Sequence, residues 1–310
     1  MAIQSTLPEY VEQNHDKLLS SAIMGAESAK MFTLQVGVKT KTALNLLNTE
    51  VIFQDGSGCG WNAQGSSKIS QRTISAPIVK VNMNFCDKDL LNSCLQHEVR
   101  VAAGQKTLPF EQDFIEDVIK NVNIATEKMI WQGDTDESED NVLKWTDGLL
   151  KHLKAKDGIT ETKQKLTHEA PAADKPVCKM VDAVMLAIPT AVLKNAVIFM
   201  GYDYFRQYMM EMKDLNLFHY DADGIDTGET FYPGSKVKIK AVSGLDGTGD
   251  IVAADPKNFF YGTDLQNDQE KFDFWYSKDN QEFRLAIEFG LGTQVAFPNE
   301  CVISSLGVGA

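Results

Sequence analysis

The stretch from Glu50 to Lys80 restricts the fold of this 310-residue chain more than any other feature. Its two ends alternate apolar and polar residues, as half-buried strands do, around a Gly- and Ser-rich segment from Asp55 to Lys68. This pattern predicts a long two-stranded hairpin with a flexible tip. The hairpin has too few large apolar residues for a core of its own, so it needs another surface, and a partner chain would provide one. Trp61 near the tip has no local core to enter, which favours burial against another chain.

A second strong signal runs from Phe110 to Trp131. Its apolar positions are Phe110, Phe114, Val118, Val122, Ala125 and Met129. They recur at steps of three and four while charged and amide residues occupy the other faces, which predicts an amphipathic helix of about 22 residues. Thr107 and Pro109 mark its start, and Gly133 is placed to end it.

The segments on either side of these two features indicate further helices and strands. Thr6 and Pro8 predict the start of a helix with only a partial apolar stripe, which favours packing against something other than its own core. Beyond the long helix, the patterns predict a second amphipathic piece at 141–155, an exposed polar loop at 156–175, helices at 177–193 and 202–215, and a buried strand at 196–200. Several more strands are predicted after residue 216.

The chain carries a net charge of −13, and this charge is unevenly spread. Residues 1–100 are neutral overall, whereas residues 201–310 carry nine basic and 18 acidic residues. No basic patch is visible, so direct recognition of nucleic acid is disfavoured. No apolar run approaches the roughly 18 residues that span a bilayer, and the N-terminus lacks the pattern of a secretory signal. We therefore expect synthesis in a cytoplasm and no association with a membrane.

Two acidic runs invite a metal-binding interpretation. In the run from Asp134 to Asp140, a calcium loop of the EF-hand type needs glycine at its sixth position and glutamate at its twelfth, where Glu139 and Trp145 stand. A solvated loop after a helix is therefore favoured. The run from His219 to Glu229 also lacks this spacing, so a surface turn is favoured there, with adventitious binding of divalent ions left open.

No pattern in the sequence indicates catalysis or a cofactor. The five cysteines include no CxxC pair, although Cys86 and Cys94 could share a helix face or a turn, and most are interpreted as small buried hydrophobes. The stretch from Gly244 to Asp250 lacks the Lys-Ser/Thr of a phosphate loop and predicts a turn. The five histidines mostly lie in polar contexts that predict exposure, and no nucleophile elbow is present. We therefore predict no catalytic, cofactor-binding or metal-binding residues and no enzyme.

The order and the amino-acid sequences of these segments resemble those of the major capsid protein of tailed bacteriophages, whose fold is named after phage Hong Kong 97. CGWNAQGSSKISQRTISAPIVKVNMNFCDKDL looks like the extended hairpin (the E-loop) of that family and its return strand. TLPFEQDFIEDVIKNVNIATEKMIWQGD looks like its long spine helix and the exit from that helix. DGLLKHL, DPKNFFYGTDL and FGLGTQVAFPNECV look like the following helix and the closing strands. The wording is most similar to the capsid proteins of crAss-like and podovirus-type gut phages.

The resemblance implies an α+β fold with four parts. They are an N-terminal arm at 1–30, an E-loop at 50–80, a peripheral domain with the spine helix at 31–49, 81–175 and 265–310, and an axial domain at 176–264. The resemblance also implies a structural protein that self-assembles into the pentamers and hexamers of an icosahedral capsid enclosing double-stranded DNA.

Under this resemblance, Trp61, Lys68 and Arg72 of the E-loop are the expected assembly-interface residues. The expected partners are further copies of the chain, portal, scaffold and minor or decoration capsid proteins, and packaged DNA bound only non-specifically. The expected location is the virion capsid, after synthesis in the cytoplasm of a bacterial host. Two alternatives stay open: an encapsulin-like compartment around cargo enzymes, and a soluble enzyme, which would require a convergent pocket with shifted titratable groups.

Some members of this family crosslink neighbouring subunits through a Lys–Asn isopeptide bond. Lys68 lies near the E-loop tip, but no motif in this chain identifies an Asn partner or an assisting Glu. We therefore predict that assembled particles separate into a single monomer band on denaturing gels. Covalent ladders on those gels would contradict this prediction.

Overall fold

A computed structural model of the chain describes residues 3–50, 52–53, 57, 66–102, 110–136, 142–168, 177–215, 228–264 and 271–306. The described residues form a mixture of helices and strands. The helices are α1 (Ile3–Met24), α2 (Asp87–Ala102), α3 (Phe110–Gln132), α4 (Leu149–Lys154), α5 (Val177–Ala187) and α6 (Tyr202–Asp214). The strands are β1 (Thr33–Val36), β2 (Lys41–Glu50), β3 (Ser66–Ser75), β4 (Ile78–Cys86), β5 (Lys165–His168), β6 (Val197–Met200), β7 (Glu229–Phe231), β8 (Lys238–Ala241), β9 (Ile251–Ala254), β10 (Phe259–Thr263), β11 (Lys271–Ser277), β12 (Glu282–Gly290), β13 (Gly292–Val295) and β14 (Val302–Leu306).

Four sheets are formed by the strands within these ranges. The largest has six strands in the order β5-β14-β9-β6-β8-β7 and mixes parallel with antiparallel pairs. Two sheets have three strands each, in the orders β1-β10-β13 and β11-β12-β4, and β2 pairs with β3 in a separate hairpin. Strands from the first third of the chain pair with strands from the last third, as β1 does with β10 and β4 with β12. The body is therefore held together by contacts between residues far apart in the sequence.

The six-stranded sheet lies between two hydrophobic cores. Along β6, Ile198 and Met200 face one core while Phe199 faces the other, because successive side chains of a strand point to opposite faces. β9 divides its residues in the same way, with Ile251 and Val252 on opposite sides. Helices α5 and α6 cover the first face, and α1 and α3 belong to the core on the other. One sheet therefore holds both halves of the body together.

Helix α3 confirms the predicted amphipathic helix, and it begins at Phe110 and ends at Gln132. Its buried face includes Ile115, Val118, Val122 and Ile130, in agreement with the helical spacing of apolar residues. Gly133 follows the last residue, and its N–H donates to the carbonyl oxygen of Met129 at 3.0 Å. A Cβ at Gly133 would lie 2.3 Å from the carbonyl oxygen of Thr146, so a larger residue does not fit at this exit.

Helix α1 differs from the prediction in its start and in its packing. It begins at Ile3, so Thr6 is not its cap and Pro8 lies inside it. The expectation that it packs outside its own core is wrong: Leu7, Val11 and Ile23 are buried in the core that contains α3. The buried stripe of the helix also contains Leu18 and the small residue Ala22, and Ala26 and Ala29 in the turns after the helix are buried in the same core.

Other boundaries differ because of individual prolines and glycines. Helix α5 ends at Ala187, six residues before the predicted end, because Pro189 disfavours helical backbone at the residue before it. The piece predicted at 141–155 contains only a short 3-10 turn and α4. Gly148 separates them, and a Cβ there would lie 2.5 Å from the backbone nitrogen of Gly133.

Two further elements are absent from the sequence-based expectation. The polar segment predicted as an exposed loop at 156–175 contains β5, which pairs in parallel with β14. The pattern also does not predict α2, since one of its buried positions is a histidine, His97. The partner of β5 lies far away in the sequence, so local patterning carries little of its signal. Helix α2 instead packs against its neighbours in the sequence, β4 and α3.

Trp131, in the last turn of α3, joins several distant segments of the body. Its ring is fully buried and lies 5.9 Å from Phe32, 5.4 Å from Phe199 and 6.0 Å from Phe259, measured between ring centroids. Gly244 passes so close that a Cβ there would lie 2.3 Å from Cδ1 of Trp131. The glycine-rich stretch that begins at Gly244 therefore has a packing role at this position.

The indole N–H of Trp131 is part of a buried polar network. Trp131 Nε1 donates to Ser28 Oγ at 2.7 Å and to Glu127 Oε1 at 3.0 Å. Ser28 donates to the same carboxylate twice, from its hydroxyl to Oε1 at 2.5 Å and from its backbone nitrogen to Oε2 at 2.9 Å. Burial raises the pKa of Glu127, although the Ser28 and Trp131 hydrogen bonds favour its ionised form. The network ties the segment after α1 to α3.

We predict that Trp131→Ala lowers the free energy of unfolding by about 4 kcal/mol, because it empties a large buried volume and removes a donor from a buried carboxylate. The joint replacement Asp134→Asn and Asp136→Asn serves as the control and is expected to change it by less than about 1 kcal/mol, since these side chains are solvent-screened. Urea denaturation of the purified subunits measures both. Equal losses in the two variants would contradict the prediction.

Candidate assembly surface

The two-stranded hairpin is confirmed, with bounds different from the predicted 50–80. Strands β2 and β3 pair antiparallel from Lys41 opposite Ser75 to Glu50 opposite Ser66. β4 does not belong to the hairpin, because it pairs with β12 in another sheet. The hairpin thus begins nearer the N-terminus than predicted, and its base is set by where β3 meets the body.

One face of the hairpin packs against the body. Leu44 and Ile74 on this inner face are buried in a small cluster with Val38 and Ala76, and Phe260 of β10 packs against it. A Cβ at Gly262 would lie 2.7 Å from Cδ1 of Ile74, so the strand below leaves just enough room for this side chain. The inner face therefore fastens the base of the hairpin to the three-stranded sheet of β1, β10 and β13.

The outer face of the hairpin presents apolar side chains to solvent. Leu47 is 63% exposed and stands directly opposite Ile69, which is 74% exposed. Next to this pair, Gln71 donates a hydrogen bond to Asn45 across the strands at 2.8 Å. Beyond β2, Phe53 is 95% exposed. This row lacks cover from the described part of the chain and has the character of a contact surface.

The three residues predicted for the assembly interface are differently placed. Trp61 lies outside the described residues. Lys68 lies in β3 opposite Asn48. Arg72 lies on the inner face of the hairpin and is half-buried, with its guanidinium bonded to the body of its own chain. The sequence analysis did not identify Leu47 and Ile69. The alternation within TALNLLN nevertheless places the side chain of Leu47 on the opposite face of the strand from those of Leu44 and Leu46.

The acidic run after α3 surrounds a lysine rather than a metal site. Lys151 Nζ lies 2.6 Å from Asp134, 2.9 Å from Asp136 and 2.7 Å from Asp147. Hydrogen bonding to Lys151 lowers the pKa of Asp134. Burial opposes ionisation of Asp147, but hydrogen bonds from Lys151 and Thr135 outweigh it and also lower the pKa of Asp147. The cluster ties the exit of α3 to α4, and residues 137–140 of the run lie outside the described residues.

Two cysteines and two histidines within the described ranges occupy packed structural positions. Burial raises the pKa of the Cys178 thiol to about 12 and also raises that of Cys301, so both stay protonated. His97 and His168 are buried or half-buried, contrary to the predicted exposure: His97 packs against Phe110, and His168 Nδ1 lies 2.8 Å from Ser304 Oγ. These contacts give each group a local structural partner.

Neither a cluster of metal ligands nor a membrane-spanning helix is found within the described ranges. In these ranges no group of three or more His, Cys, Asp or Glu side chains is arranged to hold a metal ion. None of the described helices has the length and apolar character that crossing a membrane requires. The second acidic run predicted as a surface turn, His219 to Glu229, lies outside the described residues except for its last two.

Comparison of the sequence with known families gives no match. No protein-family model matches the chain, and no curated protein matches it. The segments that resemble phage capsid proteins are therefore too weakly similar in sequence for these comparisons to detect them.

Comparison of the fold gives clear matches over nearly the whole chain. The procapsid of satellite phage P4 matches with a TM-score of 0.61 at 10% identity, covering 95% of this chain and 91% of the other. The capsid of an empty GTA particle matches with a TM-score of 0.52 at 13% identity, covering 94% and 90%. The capsid of Myoviridae phage XM1 matches with a TM-score of 0.51 at 11% identity, covering 89% and 90%. The chain has the α+β fold of phage major capsid proteins, as the resemblance implies.

The cluster around Lys151 generates a prediction for acid stability. Because the pKa values of Asp134 and Asp147 are lowered on folding, their contribution is present above the ordinary value of about 3.9 and is lost as pH falls through the lower folded values. We predict that Lys151→Met lowers the free energy of unfolding by about 1 kcal/mol at pH 6 and by less at about pH 3, since these partly exposed ion pairs are screened by solvent.

Urea denaturation at both pH values measures this difference. Lys163→Met is the matched control, because Lys163 is an exposed lysine on a nearby 3-10 turn. A Lys151→Met defect of the same size at both pH values would contradict the account.

Proposed function

We propose that this chain is the major structural subunit of an icosahedral phage capsid that encloses double-stranded DNA. The observation that carries the proposal is the hairpin: it leaves a body with a capsid-protein fold and presents the Leu47–Ile69 pair on a face that the described residues of this body do not cover. A row of exposed apolar side chains on one face is typical of a surface that binds another protein. A second copy of the chain is the proposed receiver.

The proposed mechanism is packing rather than turnover. The hairpin of one subunit lies across the body of the next, so each copy gives one surface and receives a different one. Contacts of this heterologous kind close into rings when the rotation between subunits is right, and pentamers and hexamers are such rings. Many modest contacts repeated over a shell give a stable container even where each contact is weak.

The four-part division predicted from the sequence remains part of this proposal, with an axial domain at 176–264 and a peripheral domain in the rest. The segment predicted as an arm at 1–30 contributes α1 to the core of the body, and the E-loop predicted at 50–80 corresponds to the hairpin whose strands pair from Lys41 to Ser75. Trp61 and Lys68 are proposed to touch the neighbouring subunit. Arg72 is proposed to serve the same interface through its hold on the hairpin. The chain is proposed to belong to the crAss-like and podovirus-type phages, because the sequences of its E-loop and spine-helix segments resemble those of their capsid proteins.

The proposed partners and location follow from the same role. Copies of the chain, a portal, a scaffold and minor or decoration proteins would assemble around it in the cytoplasm of a bacterial host. The net charge of −13 favours at most non-specific contact with packaged DNA, since a protein with an excess of acidic residues is repelled by the phosphate backbone. A compartment for cargo enzymes would share this fold, and the contents of the particle distinguish the two: nuclease-protected DNA or enclosed protein.

We predict that the purified protein forms closed particles of uniform size under assembly conditions, because its hairpin face is complementary to another copy. Negative-stain electron microscopy measures this directly. A population that stays monomeric under all assembly conditions, including in the presence of scaffold protein, would contradict the proposed function.

We predict that Leu47→Ser abolishes particle formation while leaving the free energy of unfolding within about 0.5 kcal/mol of the wild type, since surface substitutions change stability little. Leu44→Ser is the matched control on the same strand, because Leu44 is only 6% exposed. Its replacement should lower the free energy of unfolding by about 2–4 kcal/mol. Normal assembly of the Leu47→Ser variant would show that the outer face is not the contact surface.

A further inference from the structure

Arg72 connects the hairpin to two separate parts of the body. Its Nη1 donates to the backbone oxygen of Val295 at 3.2 Å and lies 3.4 Å from Gln294 Oε1, both in β13. Its Nη2 donates to the backbone oxygen of Asp157, in the loop that follows α4. One side chain thus holds β3 against a strand and a loop that are not neighbours in the sequence.

Gln294 extends this hold to the next residue of the hairpin. Its Nε2 donates to the backbone oxygen of Thr73 at 2.7 Å, and its Oε1 accepts from the backbone nitrogen of Val295 at 2.9 Å. Gln294 is itself buried, so its orientation is fixed by these bonds. Arg72 therefore binds to a rigid receiver rather than to a mobile surface group.

Arg72 also lies at the boundary between the fixed and the projecting parts of the hairpin. Toward the base, Ile74 is fully buried, and Ser75 runs so close to β13 that a Cβ at Gly292 would lie 2.2 Å from its carbonyl oxygen. Toward the tip, Leu46 and Ser70 border a cleft of about 340 Å³ between hairpin and body. The hairpin has room to move above Arg72 and none below it.

We propose that Arg72 is a positioning residue that sets the angle at which the hairpin leaves the body, and through that angle the curvature and size of the assembled shell. This inference rests on the proposed function. A hairpin that rotates about its base carries the Leu47–Ile69 pair to a different place on the neighbouring subunit. Each hairpin angle then favours a particular angle between subunits, so a narrow range of hairpin angles, wide enough for both pentamers and hexamers, gives particles of one size.

The chemistry of the side chain fits this role. A guanidinium presents several donors in a planar fork and can bind carbonyl oxygens of two segments at once, whereas an ammonium is a compact point charge on a flexible stem. Lysine at position 72 would keep the positive charge but would not hold β13 and the Asp157 loop together. Charge and geometry can therefore be separated by substitution.

The test compares particles of the wild type, Arg72→Ala, Arg72→Lys and Lys41→Ala by cryo-electron microscopy. Lys41 is the matched control, because it is an exposed lysine at the base of the same hairpin, opposite Ser75. The wild type and Lys41→Ala are expected to give one diameter. Both Arg72 variants are expected to lose the single-diameter population and to form mixed sizes or open sheets, with subunits that stay folded and melt only a few degrees lower.

Hydrogen exchange of unassembled subunits provides a second readout that a general loss of stability would not reproduce. The backbone amides of Ala76 and Val295, at the hairpin base, should exchange faster in both Arg72 variants, while those of α3 stay unchanged. Single-diameter particles from folded Arg72→Lys, or unaltered exchange at the hairpin base, would overturn the inference. Failure of the wild type to assemble would overturn the proposed function instead, and the exchange experiment would still decide whether Arg72 holds the hairpin.

Discussion

The body of this protein depends on one buried carboxylate and the groups that bind it. Glu127 on α3 accepts hydrogen bonds from Ser28 and from Trp131, far from solvent. A buried carboxylate without such donors would be strongly destabilising, so α3 and the segment after α1 hold their positions together or not at all. The ring of Trp131 then sets the positions of Phe32, Phe199 and Phe259, which belong to three different strands or connections.

Two further sets of contacts connect the network around Trp131 to the rest of the body. The six-stranded sheet joins the core that contains Trp131 to the second core, because alternate residues of β6 and β9 pack into one core and then the other. The glycines at 133 and 148 let the exit of α3 and the entrance to α4 touch through their backbones, and Lys151 neutralises the carboxylates exposed there. Among the described residues, these contacts join the two cores, α3 and α4 into one body, and the outer face of the hairpin stays exposed beside it.

The sequence predicted the elements whose signal is local and long. Helix α3 repeats its apolar spacing over six turns, and the hairpin lacks the apolar residues for a core, so both could be read without a structure. The packing of α1 was predicted wrongly because its buried stripe includes the small residue Ala22, and because alanines just after the helix, Ala26 and Ala29, are buried in the same core. β5 was missed because its partner β14 lies more than a hundred residues away.

The site was predicted only in outline, for a similar physical reason. Sequence alone placed Arg72 on the hairpin, but its bonds to Val295 and Asp157 depend on the tertiary fold. The ion cluster was likewise invisible, because Lys151 stands 15 residues after Asp136 and is brought back by the turn at Gly148. The apolar face with Leu47 and Ile69 could have been read from the alternation of β2, once its register was known.

A cryo-electron microscopy reconstruction of assembled particles, at a resolution that shows side chains, would reveal directly whether the hairpin joins neighbouring subunits. We expect a closed icosahedral shell in which the adjacent subunit covers Leu47 and Ile69 while Arg72 stays bonded within its own chain. A shell in which the outer face of the hairpin remains in solvent, or a protein that forms no closed shell, would contradict it.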